Sequence, residues 1–234
     1  MLTIDILIPA RDEQEALPFV LAGLPRSGEG WSVRQVVVVD NGSRDGTAAV
    51  ARAAGAQVVA EPVAGYGRAC LGGLAHLRGA PPDAVVFVDG DHSDDPSELP
   101  RLLAPLVAGG ADLVIGSRTL GAREPGAFTA VQAFGNWLAP ALLRLLWGAR
   151  ATDLGPFRAV RWATLESLGM RDRDFGWTVE MQARAAARGV RTVEVPVSYR
   201  RRRHGRSKIA GTLVGSARAG AKILATIVRV RFGG

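Results

Sequence analysis

The chain has 234 residues and 47% hydrophobic content, which suits one α/β domain with an appendage or two small domains. Its single cysteine, Cys70, excludes an intramolecular disulfide framework and a cysteine-based zinc site, and fits a reducing compartment. The net charge of +7 is uneven: residues 184–234 hold 13 Lys and Arg against one acid, Glu194, while residues 1–183 hold 16 basic and 21 acidic residues. An acidic body with a basic tail suggests an anionic partner such as lipid head groups, a phosphorylated substrate or nucleic acid. The N-terminus lacks the basic and long apolar regions of a signal peptide, and no uncharged apolar run reaches about 18 residues. The chain is therefore expected in the cytoplasm, at most peripheral on the inner membrane face.

Leu2 to Ile8 reads as a buried first strand. Pro9-Ala10-Arg11-Asp12-Glu13 follows, with a helix from near Glu13 to about Leu24. The Gly-x-Gly-x-x-Gly of a dinucleotide-binding turn is absent there, which argues against a dehydrogenase. Val36 to Val39 form a second strand, ending in Asp40-Asn41-Gly42-Ser43-Arg44-Asp45-Gly46-Thr47, with a helix opening near Thr47. An acid at this strand end can accept hydrogen bonds from a ribose or a base edge, although an Asx-turn with a helix cap accounts for Ser43 or Asp45 alone. Ala56 to Ala60 is a third strand. Gly65-Tyr66-Gly67-Arg68 then opens a helix to about Arg78, and its glycines, Gly67 among them, let backbone approach a phosphate or sugar.

Val85 to Val88 read as the central strand, running straight into Asp89-Gly90-Asp91. Two carboxylates at i and i+2 on a strand end repel unless a cation lies between them, and ligands of open α/β sheets bind at such ends. A hard dication, Mg²⁺ or Mn²⁺, takes oxygen ligands and keeps places for water and substrate phosphates. The alternative is a polar loop with Asp94 or Asp95 capping a helix from Pro96 to about Val107. Asp112 to Ile115 is the fifth strand. It ends in Gly116-Ser117-Arg118, which aims Arg118 at the same edge as a phosphate partner. These β-α units predict a doubly wound, mostly parallel sheet flanked by helices.

The alternation then stops. Ala130 to Gly148 is apolar with the single charge Arg144, and reads either as a core helix or as one lying in a membrane interface. Asp153-Leu154-Gly155-Pro156-Phe157-Arg158, a short helix, and a helical run begun by Glu180 follow. Val193 to Val197 is strand-like and leads into Arg200 to Lys208. Ile209 to about Val230 reads as a basic amphipathic helix. His76, His92 and His204 show no ligand spacing, so no zinc site is expected. Only Tyr199 adjoins the arginine run, which gives no stacking platform and argues against a nucleic-acid module.

Together these stretches resemble family 2 glycosyltransferases of the GT-A fold. Pro9 to Glu13 resembles the nucleotide-contacting first loop, Asp40 to Thr47 the Asp-x-Gly-Ser-x-Asp-Gly-Thr signature, and Asp89-Gly90-Asp91 the metal-binding Asp-x-Asp. Gly116 to Arg118, Asp153 to Arg158, Glu180, Glu194-Val195-Pro196 and Arg202-x-x-Gly205-x-Ser207-Lys208 are similar in order and spacing to the dolichyl- or polyprenyl-phosphate sugar transferases. The resemblance implies a catalytic domain over residues 1–207, followed over 208–234 by a basic amphipathic helix of a kind that suits a membrane surface. It implies that Pro9, Arg11, Glu13 and Asp40 hold the nucleoside and that Asp89 and Asp91 hold the metal. Arg118, Arg202 and Lys208 neutralise phosphates on this reading. The implied reaction is an inverting transfer of a hexose from a GDP- or UDP-linked sugar to a polyprenyl phosphate at an anionic membrane surface. An alcohol acceptor needs a general base, for which Asp153 and Glu180 are the candidates beside the site acid Asp91. A soluble glycosyltransferase or sugar nucleotidyltransferase acting on a small acceptor shares the same donor site.

Overall fold

Runs of Ile, Val and Leu build an eight-stranded sheet, seen in a computed structural model that describes residues 1–204 and 213–233. The strands are β1 (Leu2–Ala10), β2 (Ser27–Gly28), β3 (Trp31–Asp40), β4 (Gln57–Ala60), β5 (Ala84–Phe87), β6 (Leu113–Ser117), β7 (Arg158–Arg161) and β8 (Thr192–Pro196). Their order is β2-β3-β1-β5-β7-β6-β8, with β4 also paired to β3. The helices are α1 (Leu17–Gly23), α2 (Thr47–Ala53), α3 (Tyr66–Leu77), α4 (Leu99–Val107), α5 (Ala130–Trp147), α6 (Trp162–Leu168), α7 (Trp177–Ala187) and α8 (Leu213–Phe232).

Alternating strand side chains feed two cores, as the two-residue period of a strand requires. Ile4, Ile6, Ile8, Val36 and Val38 pack with α1 and α4 on one face. Leu7, Val37, Val39, Val85 and Phe87 pack with α3, α6 and α7 on the other. A third cluster joins α5, α7 and α8 through Ala139, Leu143, Val179, Ala183 and Ile227.

The doubly wound α/β architecture expected from the alternation is present, and the sheet is mixed. β7 runs antiparallel between β5 and β6. Its Arg-Ala-Val-Arg sequence carries no apolar run, because Arg158 is buried among carbonyls and Arg161 lies at the strand end. The first helix also starts later than its pattern suggests, at Leu17, since residues 13–16 turn beneath the second loop. α5 packs one side into the core through the buried Ala139 and Leu143, and on its other side Phe134, Trp137 and Leu145 are 59%, 65% and 78% exposed. Among the described residues, no helix is long and apolar enough to cross a membrane.

α8 is fastened by charge as well as by packing. The fully buried Asp172 carboxylate meets Lys222 and Arg229, both at 3.1 Å, and accepts backbone N–H groups of Asp174 and Gly176. These partners hold its carboxyl below the usual carboxylate range although burial opposes its charge. Asp172→Ala is expected to lower stability by about 2–3 kcal/mol, the scale of lost hydrogen bonds to a charged group, as read by urea unfolding at pH 7. Because the folded pKa is depressed, the difference from wild type should shrink as pH falls below about 4.

Candidate active site

β1 lies between β3 and β5, so the chain leaves it in opposite directions across the sheet. The crevice outside the carboxyl ends of β1 and β5 is thus the topological switch point, the place where open α/β sheets bind ligands. Its first wall is two loops sewn together. Asp12 N donates to Ser43 Oγ at 3.0 Å, Glu13 N to Thr47 Oγ1 at 2.8 Å, and Arg44 N to Asp12 Oδ1 at 2.7 Å. Gln14 accepts from Gly46 N and donates its own N–H to Asp45. Pro9, Arg11, Glu13 and Asp40 therefore share one wall. Ser43, Asp45 and Thr47 act chiefly as its stitching, as the turn-and-cap reading has it, and Asp40 Oδ1 accepts from Ser43 N at 3.1 Å.

The opposite wall is Asp89-Gly90-Asp91. Gly90 lies so close to β1 that an added Cβ would come within 3.3 Å of Ala10 Cβ. Tyr66 Oη, at the start of α3, donates to Asp89 Oδ1 at 2.9 Å. Desolvation in the crowded strand end, then the Asp91 carboxylate, raise the Asp89 pKa to about 7. Asp91 accepts from Ser93 N at 2.9 Å and meets Arg202 Nη1 at 3.3 Å. The other Arg202 nitrogen, Nη2, donates to Glu13, so this one guanidinium spans the crevice from wall to wall.

Among the described residues no three Asp, Glu, His or Cys side chains converge on one point, so the protein alone does not cage an ion. Two adjacent carboxylates, one carrying a raised pKa, do fit a hard dication that completes its shell with diphosphate oxygens and water. Asp89 and Asp91 are the residues that would hold it.

A basic strap, residues 198–204, runs alongside the loop after Asp91. Ser198 N donates to Glu98 Oε2, Arg200 N to Ser93 O, and the Arg200 guanidinium to Asp95. Tyr199 bridges to Asp94. Asp95 caps the 3₁₀ turn Pro96–Glu98 through Ser97 N at 3.1 Å, which leaves Asp94 with a different position. Asp94 is 1% exposed, and neither of its carboxylate oxygens has a hydrogen-bond partner.

Arg118 arrives at the edge as expected, yet its guanidinium is occupied. It is gripped by both oxygens of the fully buried Asp153, at 2.9 and 2.6 Å, and lies 4.6 Å from the Phe128 ring centroid and 4.9 Å from that of Tyr199. Burial works against its charge, but the Asp153 pair raises its pKa overall. Glu194 in turn holds Thr152 N and Oγ1 and Asp153 N. Three of the motifs noted in the sequence thus form one structural knot.

Three readings need correction on this geometry. Asp153 accepts from Arg118 through both oxygens, which engages it as an ion-pair partner rather than leaving it a free base. Glu180 is fully buried and accepts from Arg171 N, Asp172 N and Arg184, so it organises the 171–176 loop rather than facing the crevice as a base. Gly67 is bare because the chain passes there: an added Cβ would stand 2.1 Å from Asp172 O, so its smoothness serves loop packing rather than approach to a phosphate. Lys208 lies outside the described residues. Tyr66 and Asp94 are site residues that the sequence reading missed. Tyr66 had a signal, an aromatic between two glycines beside an acid-tipped strand; Asp94 was masked by its capping neighbour.

The family model for glycosyl transferase family 2 matches residues 5–168. An uncharacterized glycosyltransferase of Mycobacterium tuberculosis is 40% identical over 215 residues, covering 91% of this chain and 92% of its own. An undecaprenyl-phosphate mannosyltransferase of Micrococcus luteus is 32% identical over 221 residues, covering 90% of this chain and 89% of its own. Among solved structures, the M. tuberculosis glucosyl-3-phosphoglycerate synthase in complex with Mn²⁺, UDP-glucose and phosphoglyceric acid superposes with a TM-score of 0.77 at 25% identity, over 98% of this chain and 79% of that one.

The Asp94 carboxyl is held well above its usual pKa by burial and then by Asp89. An acid with a raised folded pKa binds its proton more tightly in the folded state, so it costs stability as pH rises above about 4. Asp94→Asn is expected to raise Tm at pH 8 by on the order of 2–4 °C, with the gain shrinking at pH 4, as read by calorimetry.

Proposed function

The chain belongs to glycosyl transferase family 2, and from that premise we propose that it is an inverting, Mg²⁺- or Mn²⁺-dependent hexosyltransferase. Its donor is a GDP- or UDP-linked sugar and its acceptor a polyprenyl phosphate at the cytoplasmic membrane face. The observation that carries this reading is the crevice at the switch point. Asp89 and Asp91 stand on one wall and Glu13 on the other, with the Arg202 cation spanning them.

The chain's own residues divide the work. Pro9, Arg11, Glu13 and Asp40 line the nucleoside side. Asp89 and Asp91 hold the metal, which when bound supplies Lewis-acid stabilisation to the departing diphosphate. Arg202 sits beside Asp91 with a charge that can turn to the same phosphates, where negative charge builds in the transition state. Lys208 is assigned to the phosphates on the sequence motif alone. Arg118 contributes by shape: it and Asp153 fix the floor next to the strap. A phosphate acceptor is already anionic near pH 7, its second pKa being about 6, so it needs alignment more than a base. Its oxygen bonds to the anomeric carbon as the bond to the diphosphate breaks. The engagement of both Asp153 and Glu180 in ion pairs supports an acceptor of that kind.

The Micrococcus luteus relative, named for undecaprenyl phosphate, supports the acceptor, and the Mn²⁺ and UDP-glucose complex supports the donor class and metal. The surface supports a membrane setting. α5 exposes Phe134, Trp137 and Leu145, and α8, which packs beside it, exposes Leu224, Val228 and Phe232. Lys222 and Arg229 of α8 are engaged by Asp172, and the two helices also expose Arg144 and Arg231. Each such cation near an anionic leaflet contributes about 1 kcal/mol. A small phosphorylated acceptor is the second reading, favoured by the likeness to glucosyl-3-phosphoglycerate synthase.

A transfer assay with GDP- and UDP-hexoses, Mn²⁺, and either a polyprenyl phosphate in vesicles or phosphoglyceric acid separates the two readings. The lipid arm is expected to give product. Asp91→Ala should lower its kcat at least about 100-fold, the scale of removing one transition-state charge contact. Product only from the small acceptor favours the second reading, and product from neither overturns both. The pair Trp137→Glu and Phe232→Glu should weaken binding to anionic vesicles by on the order of tenfold, read by cosedimentation, while binding by wild type falls with added salt.

A further inference from the structure

We propose that Tyr66 is a positioning residue for the metal carboxylate Asp89, holding one oxygen so that the other is presented to the ion. The inference rests on the metal reading of Asp89 and Asp91 above. The Tyr66 hydroxyl donates to Asp89 Oδ1 at 2.9 Å. An acidic residue that binds a cation is normally fixed by an outer hydrogen bond, which sets its rotamer before the ion arrives. Without that bond, Asp89 is free to rotate away from Asp91, whose like charge repels it.

Tyr66 can do this because its own backbone is locked. It lies between Gly65, whose φ of 154° is one that L side chains rarely adopt, and Gly67, pressed onto Asp172 O. Arg68 N donates to Arg173 O at 3.1 Å, which ties the first turn of α3 to the 171–174 loop. That loop is held from behind by Glu180, Lys222 and Arg229. The Tyr66 ring also lies against the buried core of the α3 face. The hydroxyl therefore has a fixed origin, and Asp89 is the group it meets. The glycines of this motif are accounted for as the means of seating a tyrosine.

The test measures Mn²⁺ binding directly, by electron paramagnetic resonance of free Mn²⁺, with GDP or UDP present, for wild type and Tyr66→Phe. Phe keeps the ring and removes only the hydroxyl. The expected result is a Kd for Mn²⁺ about 10–100-fold weaker, with Tm and metal-free nucleotide affinity unchanged. An equal Kd in a folded Tyr66→Phe protein overturns the proposal. If wild type binds nucleotide but no Mn²⁺, the metal reading itself fails and takes the proposal with it.

A second measurement avoids substitution at the site. The chain has only two tyrosines, Tyr66 and Tyr199. Incorporated 3-fluorotyrosine therefore gives two ¹⁹F resonances, assigned with Tyr199→Phe. Mg²⁺ with nucleotide should shift the Tyr66 resonance, and Mn²⁺ should broaden it beyond detection. A Tyr66 resonance indifferent to both ions, in protein that binds them, contradicts the proposal.

Discussion

Carboxylates from several strand ends share one crowded edge of the sheet, and like charges there must be met by cations. Glu13, Asp89 and Asp91 line the crevice at the switch point between β1 and β5, and Asp94 lies beside its neighbouring strap. Burial first, and that repulsion second, hold the carboxyls of Asp89 and Asp94 above their usual pKa. The chain answers with arginines brought from far along the sequence. Arg202 spans Glu13 and Asp91, Arg200 meets Asp95, and Arg118 fills the floor. The strap is thus held at the crevice by Glu13, Asp91 and Asp95, of which Asp91 is also one of the two residues that would hold a metal.

This sets up an exchange. On the proposed function, Asp89 and Asp91 would hold the dication and the charge of Arg202 would be available to the diphosphate, in place of the present Arg202–Asp91 pair. Asp153 and Glu180 take no part in it. Their oxygens are engaged, Asp153 by Arg118 and Glu180 by Arg184 and the backbone of Arg171 and Asp172. The C-terminal helix belongs to the same rigid frame through Asp172, while its outer side, with that of α5, remains apolar and basic.

Much of this was legible in the sequence, wherever a local pattern carries the physics. Strand ends tipped with Asp40, Asp89 and Arg118 are visible because a hydrophobic run stops at a charged residue. The helix start at Thr47 follows from turn chemistry. What stayed hidden depends on partners distant in the chain. β7 contains two arginines in four residues, and only the carbonyls around Arg158 make it a buried strand. Gly67 looks the same whether a phosphate or the Asp172 carbonyl approaches it. Asp94 and Asp95 are chemically identical neighbours, and only the strap decides which one caps a turn and which one is enclosed. Asp153 and Glu180 read as reactive acids until their donors, 35 residues away for Arg118 and as near as four for Arg184, are in place.

The central claim, that Asp89 and Asp91 hold a metal on a nucleotide diphosphate, is tested most directly by diffraction at the manganese edge from crystals grown with Mn²⁺ and GDP or UDP. The account predicts an anomalous peak between the two carboxylates, with Arg202 withdrawn from Asp91 and turned toward the diphosphate. A nucleotide bound elsewhere, or a peak remote from both aspartates with the Arg202–Asp91 pair intact, would contradict it.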